Sequence, residues 1–566
     1  MLKNENNLLY LIDSNYIGQF MQNSMFISFS VLALIFVSSF STVKASESDK
    51  WRPHIDLEGK PGSDRHLGEA DLFVPLIQDD HTLVFGNLRG RIDNQNGREG
   101  NYGLGVRHML SSGWNLGGYG YFDRRRSSLG NMFNQITFGA EALSMDWDIR
   151  ANAYVPIGRK SYQVDSLNTA TISGTTVVFR GGEERSLGGF DAELGWRVPV
   201  FDENSQQQLR LYGGGYRFSD EKAGMIAGPR GRIDLTFNEV PFLWDDSRLS
   251  LGLEVQHDDP RGTQSFAMFR LRIPFQVFGG QETHQTDLRP IERRMADPVI
   301  RDVDVVSRAG AFGPPETASE TASGQLLSVV DSSSTTGSNL SNAVAAAGAN
   351  STVILQGDFS NVNSKVILQS GQTLMGQGSL EVKSPSGRVA TLDMGSASVS
   401  GTGTVTTVGG NDSRLIEMAN NSTLAGITVN NTASGGTASY AVLMDGVSGA
   451  TIRNSTLSAS ASGNTSTPIY ILNNSSNITI TGNTLKASGQ TGHQTFGGMA
   501  VQDSSNIKFS NNSVTASGSG NKHSVYLDDV TDLSGSGNTK NAAAATCSTS
   551  VTNTGSIGFT DGSSCP

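Results

Sequence analysis

From Trp51 to about Phe278 the side chains alternate, one residue at a time, between apolar groups and charges or glycine, and this limits the fold more than any other feature. Ile136, Phe138, Ala140 and Ala142 interleave with Gln135, Thr137, Gly139 and Glu141. Leu249, Leu251, Leu253 and Val255 interleave with Ser250, Gly252, Glu254 and Gln256, and Ala267, Phe269, Leu271 and Ile273 with Met268, Arg270 and Arg272. A period of two puts one set on each face of a β-strand. In water the apolar face would be buried in a sandwich. In lipid the polarity reverses, with apolar residues outward and charges toward a wet lumen. Alternation alone leaves both open, and three features favour the membrane barrel. The runs reach about 10–14 residues, long for a sandwich and right for tilted membrane strands. Trp51, Trp114, Trp147, Trp196 and Trp244 all lie here, several near strand ends, as interfacial girdles require. The apolar run Met25 to Phe40, followed by Val43-Lys44-Ala45, reads as an export signal cut before Ser46. It is shorter than the ~20 residues of a membrane-spanning anchor.

Twelve strands are predicted, near 51–60, 66–78, 81–92, 100–110, 113–123, 131–143, 145–157, 187–199, 207–218, 228–240, 247–258 and 263–276. Tight connections (Gln78 to Asp80, Ser111-Ser112, Ser144, Phe201 to Ser205, Pro241 to Asp246) alternate with mostly longer ones (93–99, 124–130, 158–186, 219–227). Outer-membrane barrels keep short turns in the periplasm and long loops outside. An even strand number then leaves both barrel ends in the periplasm. The residues after the last strand must stay there or pass back through the lumen. The charges expected to face that lumen are Arg107, Glu141, Arg150, Arg197, Arg210, Arg232, Glu254, Arg270 and Arg272.

Four stretches carry a family resemblance: EADLFVPLIQDDHTLVFGNLRGRID (69–93), YGLGVRHMLSSGWNLGGYGYFDRRR (102–126), NQITFGAEALSMDWDIRANAYVPIG (134–158) and FDAELGWRVPV (190–200). They resemble the inverse autotransporter β-domain of the intimin/invasin family, over roughly residues 51–310. The resemblance implies a twelve-stranded barrel in outer-membrane lipid, assembled with barrel-assembly and periplasmic chaperone machinery. It also implies a linker threading the lumen and a C-terminal passenger held on the cell surface. The segment LRPIERRMADPVIRDVDVVSR (288–308) suits that linker. Its Arg289, Arg293, Arg294 and Arg301, with Asp297, Asp302 and Asp304, are expected to pair with lumen charges such as Arg150, Arg197, Glu141 and Glu254. The alternative is a solvated periplasmic tether. Two departures stand out. Only residues 46–50 precede the barrel, where many relatives carry a peptidoglycan-binding module. The passenger also lacks the immunoglobulin-like pattern of the best-known members.

The second half is rich in Ser, Thr, Asn and Gly, and charged residues fall below a tenth of positions after residue 338. Short apolar triplets recur there. One lane is read through Ile452, Ile478, Ile507 and Leu533, a second through Val442, Ile469, Met499 and Val525, and a third through Leu457, Leu485 and Val514. Lanes that keep step every ~26–30 residues signal a repeat. Three strands per turn with apolar residues inward describe a parallel β-helix, expected to be right-handed, of about eight coils and roughly 40 Å. Asn454, Asn483, Asn512 and Asn538 recur before the third lane and are expected to stack as an amide ladder. Their N-x-S/T context is also a glycosylation pattern, but return at every coil accounts for it better. The phased lanes argue against plain low-complexity disorder. Cys547 and Cys565, the chain's two cysteines, are expected to pair and close the C-terminal end, adding about 3 kcal/mol by loop entropy.

The expected fold is therefore all-β, a 12-stranded antiparallel transmembrane β-barrel followed by a right-handed parallel β-helix. The division is signal peptide 1–45, short periplasmic segment 46–50, barrel 51–278, linker 279–338, and passenger 339–566 with a C-terminal cap. A net charge of −11 argues against nucleic acid as a partner. The lack of CxxC or HExxH spacing gives no reason to expect a metal, and no cofactor is expected. A β-helix enzyme acting on polysaccharide would need gathered carboxylates. The best group is His523, Asp528, Asp529 and Asp532, where adjacent acids on one strand would point to opposite faces unless the chain bends. Asp393, Asp412, Glu417, Asp445 and Asp503 are isolated, His493 and Phe496 sit in an expected loop, and no lane shows a recurring aromatic. The expected function is export and surface anchoring of the passenger for adhesion to an unknown receptor or glycan, without catalysis. The alternatives are a displayed polysaccharide-cleaving enzyme and a plugged outer-membrane pore.

Overall fold

The computed structural model describes residues 50–240, 243–275, 288–302, 304–406, 412–541, 544–550 and 553–566. The expected export signal, residues 46–49 and residues 279–287 of the linker lie outside them. The chain forms two compact units. One comprises residues up to 163 together with 183–310, the other 164–182 together with 311–566.

The first unit is a closed barrel of twelve antiparallel strands. They are His54–Lys60, Leu67–Gln78, Thr82–Asp93, Arg98–Met109, Asn115–Arg126, Met132–Leu143, Trp147–Ile157, Gly188–Val198, Gln207–Asp220, Gly224–Asn238, Arg248–Asp258 and Gly262–Pro274. The first strand closes the sheet on the last, with His54 opposite Pro274 and Glu58 opposite Arg270. Closure leaves no sheet edge, which a membrane interior requires. The alternation is resolved in the membrane sense: Leu253 is 59% exposed and Val255 50%, while Glu254 between them is 7% exposed. Phe138, Ile149, Phe190, Leu194 and Phe269 likewise face outward, and Arg107, Asp123, Glu141 and Asp148 are buried inside. Of the five tryptophans, Trp147 and Trp196 lie opposite one another on the outer face and Trp244 is also exposed. Trp51 corrects the girdle reading, since it is 1% exposed and packs inside with Phe85 and Met295.

The second unit is a parallel solenoid of about seven turns. Its strands begin earlier than the sequence suggested. Pro315–Ala318 and Leu326–Asp331, assigned above to the linker, already belong to its sheet. A short helix, Leu340–Ala346, follows, and its Leu340 and Val344 are buried in the core. One inward lane runs Val366, Ile416, Val442, Ile469, Met499, Val525 and Cys547. Another runs Val399, Val429, Leu457, Leu485 and Val514. The remaining lane is corrected. Ile452 stacks under Ile480 and Phe509, whereas Ile478, Ile507 and Leu533 form a separate column. Two apolar positions of one short strand had been joined across a coil boundary. A disulfide joins Cys547 to Cys565, with Cα atoms 5.6 Å apart, and the Cys565 side of the bridge is buried in the last coil.

Candidate functional site, the occupied lumen

The barrel interior is filled by residues 288–302 and 304–306. Near the tight turns, Pro290–Arg293 forms one helical turn, followed by a 3-10 turn at Arg294–Ala296. The Trp51 indole donates to Glu292 O at 2.8 Å, the Asn115 amide to Ile291 O at 2.9 Å, and Arg294 donates to Ser144 O in a tight turn. Met295 is fully buried among Trp51, Phe73, Phe85, Tyr119 and Tyr121. The following residues are extended, so their peptide groups have no ladder of their own and must find partners. Arginines of the wall supply them. Arg107 donates to Met295 O at 2.8 Å and to Asp297 O at 2.7 Å, Arg272 to Ala296 O at 3.0 Å, and Arg89 to Val299 O at 2.9 Å. Farther along, Tyr119 reaches Ile300 O, and the Asp302 amide donates to the Tyr154 hydroxyl at 2.6 Å. At the long-loop end, the Val305 amide donates to Glu99 at 3.0 Å and the Leu187 amide to Val306 O at 2.9 Å. Ser307–Gly310 then pairs with Glu183–Ser186, which also pairs with Ser161–Gln163 in a three-stranded sheet. The linker thus enters at the tight-turn end and leaves at the long-loop end.

Its charges are matched along the way. Arg294 meets Asp148 at 2.6 Å, Asp297 meets Arg248 at 2.7 Å, Arg301 meets Asp123 at 2.9 Å, and Asp304 meets Arg65 and Arg125 at 2.6 and 3.0 Å. Arg301 also lies over the Tyr121 ring, 4.4 Å from its centroid. Arg289 is largely exposed and bonds Glu292, and Arg293 bonds Gln206. The expected partners differ. Arg150, Arg197, Glu141 and Glu254 pair with other wall residues. Arg150 faces Asp148, Glu193 and Glu141, Glu141 faces Arg107 at 2.6 Å, and Glu254 faces Lys60 at 2.9 Å. Arg197 sits at the rim, on the exposed Asp146 and Glu203. Arg210 bonds Asp148, Arg232 bonds Glu193, Arg270 bonds Glu58 and Arg272 bonds Asp56. Asp148 and Asp123 do not stand among the lumen charges named from the sequence, although they share the inward parity of Arg150 and Tyr121 in their strands. Cavities beside the linker measure about 50 to 70 Å³, room for a few waters.

Residues 46–219 match the family model described as Inverse autotransporter, beta-domain. The barrel carries an inverse autotransporter domain. Residues 328–559 match a model described as Protein of unknown function (DUF1565). No curated protein matches the chain. Among solved structures, a membrane protein from work on in-meso crystallization aligns at 14% identity over 46% of this chain and 100% of its own, with a TM-score of 0.34. An outer membrane channel from Pseudomonas putida F1 aligns at 10% identity over 40% and 98%, TM-score 0.28. Outer membrane phospholipase A from Escherichia coli aligns at 9% over 39% and 90%, TM-score 0.24. The role is that of an outer-membrane, autotransporter-like protein with a β-helix passenger.

On the passenger of this autotransporter-like chain, three of the four proposed asparagines make a ladder. The Asn512 Oδ1 accepts from the Asn483 backbone N–H and side-chain amide, both at 3.0 Å, and Asn538 Oδ1 accepts from Asn512 in the same way. Asn454 is corrected. The residue in that column is Ser455, whose N–H donates to Asn483 Oδ1 at 2.9 Å. Asn454 stands one position earlier, with φ of 52°, in a left-handed column with Gly482, Asn511 and Gly537. At Asp528 and Asp529 the bend left open by the sequence is present. Asp529 has φ of 53°, so the chain bends there and neither acid points into the core. Asp528 accepts from Gln502 at 3.1 Å and Tyr526 at 3.2 Å, and from Ser550. The Ser550 hydroxyl and Gln502 amide hold its carboxyl below the usual carboxylate range. An aromatic strip absent from the sequence reading emerges beside it. The Tyr440 and Tyr470 rings lie 4.8 Å apart, tilted by 36°, Tyr470 bonds Gln502, and Phe496 lies 5.1 Å from Tyr526 and 5.9 Å from His523. Among the described residues no side-chain hydrogen bond, ion pair or ring contact joins His493 or Asp532 to this group. Among the described residues no three His, Cys, Asp or Glu side chains gather as a metal site.

Proposed function

We propose that the barrel carries its own C-terminal β-helix from the periplasm to the cell surface, keeps it tethered there by the lumen linker, and presents it as an adhesive rod. The carrying observation is the path of residues 288–302 and 304–306 through the lumen, held by ion pairs and by arginines on its main-chain carbonyls. Twelve strands return the chain to the side where it began, and the linker supplies the thirteenth crossing. External protease on intact cells tests the reading: the passenger should be shaved while the barrel fragment stays, and a passenger cut only after lysis would overturn it. Adhesion is tested by deleting residues 323–566, which should abolish attachment to cells or surfaces.

The strip of half-buried Tyr440, Tyr470 and Tyr526, backed by the buried Phe496 and flanked by Gln502 and Asp528, supports a contact surface for a saccharide. Rings offer flat apolar faces, and the amide and carboxylate offer hydrogen bonds. Asp528, held anionic by three donors, is better suited to accepting hydrogen bonds than to delivering a proton. Tyr470→Ala should lower attachment about tenfold with the fold intact, and polysaccharide release that disappears in Asp528→Asn would favour the enzyme instead. A diffusion pore is the weaker reading because the linker occupies the bore. Conductance of the purified protein should be small and should rise when 288–306 is removed.

A further inference from the structure

The connection between the seventh and eighth barrel strands carries a hairpin, Thr169–Ser173 and Thr176–Arg180, that belongs to the solenoid's compact unit. Its second strand pairs antiparallel with the solenoid's first, Val177 opposite Ala318 and Arg180 opposite Pro315. Its first strand bridges at Ala170 to Leu392. Phe179 is fully buried and Val177 nearly so, in a core cluster with Val329, Ile354, Val382 and Leu392. Arg388 locks the base of the hairpin, with its guanidinium on Asp165 at 2.9 Å, Asn168 at 2.5 Å and Gly182 O at 2.9 Å. Asn168 returns a bond to Val389 O at 2.8 Å. The Gly313 N–H donates to Gly181 O at 2.9 Å.

The first coil of a stack has no neighbour on one side, so it is the costly step of assembly, and its bare edge invites wrong pairing. Here that edge is met by a strand pair from elsewhere in the chain. The loop to be closed is short. Ser307–Gly310 is already paired with Glu183–Ser186, so only residues 311–314 separate a fixed point from Pro315, and 181–182 separate one from Arg180. Short tethers make closure cheap. We propose that the 164–182 hairpin is a folding template, a strand edge built into a barrel connection on which residues 315–318 pair first and from which the coils propagate toward the C-terminus. This rests on the display reading for where it happens, and not for the pairing itself.

A template speeds folding, whereas a mere cap slows only unfolding. Three full-length variants separate them: Phe179→Ala, replacement of 169–180 by twelve Gly/Ser residues, and Ile557→Ala in the last coil as a control of similar burial. Pulse-labelled cells are treated with external protease, and barrel assembly is followed by its heat-dependent shift on gels. The two hairpin variants should assemble the barrel normally but lengthen the half-time to passenger protease resistance by about tenfold or more, while Ile557→Ala leaves it unchanged. Resistance gained at the unaltered rate in both hairpin variants would overturn the template. If the unaltered passenger is never open to external protease, the display reading fails. The template is then judged on purified full-length protein refolding from urea in detergent: slower refolding in Phe179→Ala supports it, and equal rates overturn it.

Discussion

An inward-pointing residue of the barrel meets an opposite charge, as Arg107 meets Glu141 and Arg294 meets Asp148. An inward-pointing residue of the solenoid meets an aliphatic one coil away, as Ile469 meets Val442 and Met499. In the barrel the apolar contribution comes from outside, through Leu253, Phe138 and Phe190 facing lipid, and the closed ladder satisfies the backbone. The interior is then free to be polar, and its charges fix which residue of the linker sits at which depth. Buried pairs are poor net stabilisers, but an unmatched member is expensive, so wrong registers are penalised. In the solenoid the interior is the source of stability, added coil by coil.

The largest effect expected from a single change lies in the lumen. Asp148 is shared by Arg150, Arg210 and Arg294. Asp148→Ala leaves three buried guanidiniums short of a partner and should cost about 3–5 kcal/mol. It should appear as a lower temperature for the heat-dependent shift of the barrel on gels, with passenger protease resistance unchanged. Adding Arg294→Ala should recover part of the loss, because the pair is coupled. A barrel indifferent to Asp148→Ala would break the contrast at its root.

Ile469→Ala removes three heavy atoms from the dry column and should cost about 2–4 kcal/mol. The loss should be local. Hydrogen exchange should accelerate in the coils around residues 440–500 and little in the barrel. A uniform loss along the rod would mean that it melts as one unit rather than by neighbour contacts. A smaller change, Asn512→Ala, empties one rung, leaving the Asn483 amide and Ile480 O without their bonds. About 1–3 kcal/mol is expected, by the cost of a buried unsatisfied group. Asn454→Ala, outside the ladder, should not match it.

The barrel strands could be read from the sequence because lipid imposes a two-residue period over every strand, and a one-residue error would put Arg107 or Glu141 into hydrocarbon. The lumen partners could not. Which inward residue meets Arg294 depends on its height along tilted strands, and Asp148 and Arg150 are two residues apart on the same face. The ladder failed by one residue at Asn454 because the coils differ in length and the left-handed bend column stands next to the ladder column, both favouring asparagine. The aromatic strip was invisible because its rings skip coils: Tyr470 and Tyr526 share a column with Ala500 between them, while Tyr440 pairs with Thr467 and Phe496 with His523. In sequence the hairpin is indistinguishable from the rest of the 158–186 connection, because its partners, Pro315 to Ala318, lie over a hundred residues downstream.

The smallest expected effect is the sharpest division between a plugged bore and a solvated tether. Raising salt from 0.1 to 1 M shortens the screening length from about 10 to 3 Å, which weakens exposed ion pairs and leaves buried ones nearly untouched. The linker's contacts on Asp148, Asp123, Arg65 and Arg125 join side chains no more than 18% exposed. Conductance relative to that of the bulk solution, and protease access to residues 288–306, should therefore stay flat across that range. The passenger's Lys365–Glu417 pair, more exposed on both sides, should contribute under about 1 kcal/mol and lose most of it. A conductance that climbs with salt beyond the rise of the bulk solution would mean that ions reach and screen the lumen pairs. The polar interior would then be a hydrated channel with a strand in it, and the depth-fixing role assigned to its charges would fall.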